Sequence, residues 1–96
     1  MSAYFIVYRE GPLLNQAEWD EYQRKARQMG GSFELKPLSV HGEVHPLEGK
    51  PPETVVLMEF PTVEEARAWY DSPGYQAALP HRLKAGDFRT VIVEGM

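Results

Sequence analysis

The chain reads as an α+β domain of order βαββαβ, one antiparallel sheet with both helices on one face. Two observations on its 96 residues predict this. Short runs rich in β-branched and aromatic residues are separated by glycine- and proline-rich turns. Between them lie helical stretches, each opened by a polar cap with a glutamate three residues later.

Residues 3–8, AYFIVY, are too short for a helix and form the first strand, which Gly11-Pro12 breaks. Asn15 caps the first helix, with Glu18 spaced to reach back as in a capping box and Leu14 spaced to staple against Trp19. Trp19, Tyr22, Ala26 and Met29 recur at helical spacing and form its buried stripe; Gly30-Gly31 stops it. Residues 32–40, SFELKPLSV, are the second strand, with Pro37 marking an edge or a bulge. Residues 41–53 are a Pro/Gly-rich connection, and residues 54–60, TVVLMEF, are the clearest strand. Thr62 with Glu65 caps the second helix. In residues 66–82, ARAWYDSPGYQAALPHR, Pro73 ends that helix and Ser72 caps a further short one. Pro80 interrupts again, so this segment is expected to be bent. Residues 88–94, FRTVIVE, are the last strand, which completes a ferredoxin-like unit in a single domain spanning 1–96.

Composition narrows the function classes. An apolar content of 43% argues against disorder. The net charge of −4, with no basic block, disfavours a nucleic-acid partner. Absence of cysteine removes disulfides and thiolate chemistry. The first strand lacks the basic flank of a signal peptide and the length of a membrane span, so a cytoplasmic protein without a membrane partner is expected. A sheet covered on one face should alternate apolar and polar residues. VVLM and VIV do not alternate, so both faces are apolar and a second copy of the chain is expected to cover the open one. The expected assembly is a homodimer packed sheet to sheet.

Several residues could carry chemistry. Tyr75 and Arg82 are seven apart and would share one face of a continuous helix, where a guanidinium and a phenol could hold a carboxylate or enolate. The competing role for Arg82 is structural, pairing with Glu59 or with helix C-terminal carbonyls. Glu59 shares a strand face with Leu57 and Val55. Under the helices it would be a buried general base; at an exposed strand end it would be solvated or ion-paired. His81, beside Arg82, is a further candidate acid or base. Trp19, Tyr22, Trp69 and Tyr70 are read chiefly as core, with one or two lining a cleft. HGEVH, residues 41–45, could point His41, Glu43 and His45 to one side as metal ligands if extended. Gly42 and Pro46 favour an exposed loop instead, and no metal or cofactor is expected.

The segment MEFPTVEEARAWYDSPGYQAALPHR, together with Gly30-Gly31 and the terminal VIVEG, resembles the family of domain of unknown function 1330 (DUF1330) over nearly the whole chain. That family is part of the dimeric α/β-barrel superfamily, alongside small antibiotic-biosynthesis monooxygenases and muconolactone isomerases. Two features depart from its pattern: Lys36-Pro37 stands where an arginine and glycines are usual, and the connection after the second strand is longer. The resemblance implies a ferredoxin-like homodimer with a cleft between sheet and helices in each subunit, where relatives bind or transform small organic molecules. The ligand expected here is a small anionic or aromatic metabolite, held by Arg82 and Tyr75 with Trp69 in the wall. His81 or Glu59 would move the proton in cofactor-independent isomerase, lyase or monooxygenase-type chemistry. The alternative is a non-catalytic ligand-binding or accessory module built on the same dimer.

Overall fold

The computed structural model describes residues 2–29 and 33–96. Its elements are β1 (Ala3–Glu10), α1 (Gln16–Arg27), β2 (Lys36–Val40), β3 (Thr54–Phe60), α2 (Val63–Asp71), α3 (Pro73–Ala85) and β4 (Asp87–Glu94). The strands form one sheet in the order β2-β3-β1-β4, antiparallel throughout. This is the predicted ferredoxin-like order, with the second helical region divided into α2 and α3. No helix among the described residues is long and apolar enough to cross a membrane.

Local chemistry accounts for most boundaries. Asn15 accepts from the Glu18 amide at 3.1 Å, and Thr62 accepts from the Glu65 amide at 3.0 Å. Ser72, extended at φ −62 and ψ 148, accepts from the Tyr75 amide and donates its hydroxyl to the Trp69 carbonyl. It therefore ends α2 and starts α3 in one residue. The register of β2 on β3 shifts between Pro37 and Ser39, the irregularity that Pro37 foretells. β2 begins only at Lys36, later than predicted. The glycine stop at residues 30 and 31 lies outside the described residues.

Some expectations fail for physical reasons. Pro80 does not interrupt α3, which runs through it to Ala85. Tyr75, Ala78, Arg82 and Ala85 form its buried stripe, whereas Pro80 and Gln76 are exposed. The Gln76 carbonyl that loses its helical donor is thus within reach of solvent. The staple between Leu14 and Trp19 does not form. Leu14 is 73% exposed, and the Trp19 ring stacks on Phe88 of β4 instead.

Parity separates the two faces of the sheet. Ala3, Phe5 and Val7 of β1 are buried on the helix side, with Val56, Met58 and Phe60 of β3 and Phe88 and Ile92 of β4 beside them. Ala66, Trp69 and Tyr70 of α2 pack on this surface, and the Trp69 ring meets Phe5 edge-on at 5.2 Å. The opposite face carries Tyr4, Ile6 and Tyr8, with Ile6 between Leu57 and Val91. Its Val91 and Val93 are 48% and 47% exposed, and no element of the chain among the described residues covers them. A thinnest dimension of 16 Å matches this arrangement, one sheet under one layer of helices.

Candidate functional site

α1 sets up the site by where it does not pack. Its backbone runs beside α3 and stands off the sheet, and none of its residues is fully buried. The gap is a cavity of about 300 Å³ between the helix-side face of the sheet and the helices. Phe5, Val56 and Met58 form its floor, Trp19 and Tyr22 of α1 one wall, and Trp69, Tyr75 and Arg82 another. The predicted aromatic stripe of α1 thus lines a cavity more than it fills a core.

Aromatic contacts hold the walls in place. The Trp19 ring stacks on Tyr22 and on Phe88, each at 5.4 Å between centroids. Tyr75 is fully buried, with Trp69 at 4.4 Å and its hydroxyl 3.1 Å from that of Tyr22. Burial, and then the neighbouring Tyr75, push the Tyr22 phenol far above its ordinary range, so it stays protonated at any physiological pH. One hydroxyl donates to the other. The accepting residue's own O–H is not used in this contact.

Arg82 is 2% exposed, yet its guanidinium meets no carboxylate among the described residues. Nη1 donates to the Thr90 hydroxyl at 3.1 Å, and the guanidinium carbon lies 5.3 Å from the Phe88 ring centre and 5.8 Å from that of Tyr22. Its Nε is buried without a hydrogen-bond partner. Rings and one hydroxyl compensate a buried cation only in part. The remaining demand is for an anion.

The other sequence candidates lie elsewhere. His81 Nδ1 is 2.6 Å from a Glu18 carboxylate oxygen, a contact that ties α3 to α1. Glu18 is thereby drawn toward His81 in place of the cap it was expected to close. Glu59 is on the open face of β3, paired in register with Tyr4 and Lys36, because Phe60 next to it points to the core. Neither His81 nor Glu59 lines the cavity with Tyr75, Arg82 and Trp69. His41, Glu43 and His45 are exposed, and no group of three or more potential metal ligands gathers among the described residues.

Sequence reasoning missed the cavity's rim. His41, with φ of 56, turns the chain out of β2. Its Nδ1 lies 2.8 Å from the Thr54 hydroxyl, and its ring stands edge-on to Trp19 at 5.8 Å. Although the residue as a whole is exposed, partial desolvation of its ring, and secondly the Arg9 cation, hold the imidazole below the ordinary histidine range. Arg9 follows Ala3, Phe5 and Val7 on the helix-side face of β1, a parity that reading β1 to residue 10 would have exposed.

Fold and cavity together define a ferredoxin-like α+β protein with an aromatic, cationic pocket between sheet and helices. The family model described as "Domain of unknown function (DUF1330)" matches residues 2–96, and the chain belongs to that family. No curated protein matches it. Among solved structures it is similar to an "ethyl tert-butyl ether d (ethd) family protein" from Bacillus halodurans, at 17% identity and a TM-score of 0.65, with 100% of each chain covered. A dimeric ferredoxin-like protein of unknown function from Thermobifida fusca matches at 14% identity and a TM-score of 0.58, over 99% of this chain and 92% of that one. A dimeric protein of unknown function with a ferredoxin-like fold from Bacteroides fragilis matches at 11% identity and a TM-score of 0.56, over 98% and 96%. At these identities the likeness is one of fold.

Proposed function

We propose that the chain acts as a homodimer whose subunits each bind a small anionic, aromatic metabolite in the cavity under α1. The observation that carries this reading is Arg82, a buried guanidinium without a carboxylate partner among the described residues. A buried charge left unpaired is costly, and a bound carboxylate would supply both countercharge and a bidentate partner. The surrounding rings favour a flat, apolar ligand body. Among the described residues, no Asp or Glu lines the cavity to repel an anion, although the chain carries 14 acidic residues. The dimer is supported by the uncovered apolar face of the sheet and by the dimeric state named for two structural neighbours.

Two chemistries fit this reading. In the catalytic one, Arg82 and the spare tyrosine hydroxyl hold a carboxylate or enolate oxygen, and a neutral His41 at the rim exchanges the proton. Isomerase, lyase or monooxygenase-type reactions on an already activated substrate are the class such a site serves. In the other, the same pocket only binds. The scarcity of bases in its lining, with His41 at the rim the one such group among the described residues, favours the second. Calorimetric titration with benzoate tests what both share. One site per chain is expected, weakened about ten- to a hundredfold by Arg82→Gln. No binding to the wild type, or equal binding to both proteins, would remove the proposal.

A further inference from the structure

A second cavity of about 280 Å³ adjoins the first and shares Trp19, Gln23, His41 and Thr54 with it. These four residues form a neck between an inner chamber and an outer one, which Arg9, Leu13 and Gln16 complete. Among the described residues, the buried side-chain nitrogens without a hydrogen-bond partner are the Nε atoms of Arg82, a residue that lines the inner chamber, and of Arg9, a residue that lines the outer one. Neither arginine meets a carboxylate within ion-pair distance among the described residues, and no Asp or Glu lines either chamber. Two arginines that each lack an anion, joined through an aromatic neck, describe a ligand charged at both ends.

Resting on the anion-binding reading above, we infer that the ligand is an elongated dianion, an aromatic or unsaturated dicarboxylate. Its first carboxylate sits with Arg82 and the Tyr22–Tyr75 pair, its flat body passes Trp19 and His41, and its second carboxylate reaches Arg9. The neck suits this passage. Trp19 offers a ring face or edge, and the His41 ring, hydrogen-bonded to Thr54 and edge-on to Trp19, adds a second flat surface for the middle of the ligand. A monoanion would satisfy Arg82 and leave Arg9 as it is.

The test compares trans-cinnamate with trans-4-carboxycinnamate, which differ only in the second carboxylate, by calorimetric titration of wild type, Arg9→Gln, Arg9→Lys and Arg82→Gln. Wild type should bind the dicarboxylate about tenfold or more tightly than cinnamate. Arg9→Gln should erase that gain and leave cinnamate affinity unchanged, Arg9→Lys should keep most of it, and Arg82→Gln should weaken both ligands. Equal affinities in wild type, or an Arg9→Gln effect that is the same on both ligands, overturns the dianion while the Arg82 site stands. Failure of wild type to bind either compound removes both readings. Should Arg9→Gln not fold, a gain that is missing from folded Arg9→Lys also counts against the inference, because that variant keeps the charge.

Discussion

The hydroxyls of Tyr22 and Tyr75 share a single contact at 3.1 Å, and the fate of the spare O–H separates ligand binding from plain packing. Tyr75→Phe removes one partner and leaves the Tyr22 phenol buried. Chemical denaturation should show a loss of about 1–3 kcal/mol, and benzoate titration a further loss of affinity. His41 supplies a pH signature. Its depressed folded-state pKa means that the unfolded chain binds more protons between that value and 6.5. Its contribution to stability is therefore present above about pH 6.5 and is lost as pH falls toward the folded value. Melting curves between about pH 7 and pH 5 should flatten in His41→Gln, and the His41 imidazole should titrate below 6.5 by NMR. Arg82 and Tyr75 were legible as a pair because seven residues make two helical turns. Arg9 and His41 were not. Reading β1 as ending at Tyr8 hid the parity that turns Arg9 toward the helices, and His41 reaches the rim through a left-handed turn that composition does not announce.

At the scale of elements, the helix divided at Ser72 builds the wall of the site. The extended backbone there redirects the chain, so that Trp69 at the end of α2 and Tyr75 at the start of α3 meet at 4.4 Å. The Asn15, Thr62 and Ser72 caps, the break at Pro73 and the succession of elements along the chain could be read from residue types, because each depends on patterns within a few positions. What could not be read depends on distant partners. Glu18 is drawn away from its expected cap by His81, 63 residues on, and Trp19 from its staple by Phe88. Pro80 is the clearest instance. Local propensity says break, but the buried stripe of α3 against α1 carries the helix through it. Pro80→Ala restores a donor to the Gln76 carbonyl on an exposed face. Urea unfolding should register a gain of about 1 kcal/mol or more, with benzoate affinity unchanged.

For the molecule as a whole, the two faces of β3 predict opposite outcomes for adjacent substitutions. Met58 packs against the core, so Met58→Lys should yield unfolded protein. Leu57 lies on the open face, so Leu57→Lys should yield a folded chain that sediments as a monomer where the wild type sediments as a dimer. A wild type that is monomeric at micromolar concentration would remove the dimer. The uncovered face was legible from two strands that fail to alternate; which face of β3 it was required the register with β1. On the proposed function, the fold tolerates the buried Arg82 cation for the sake of a ligand. The most direct test of this claim is the melting temperature of wild type and Arg82→Gln, each with and without saturating benzoate. The variant alone should melt within a few degrees of wild type, or above it, and benzoate should raise the melting temperature of the wild type only. A variant that melts far lower while benzoate stabilises both proteins equally would make Arg82 a strut of the fold and contradict the claim.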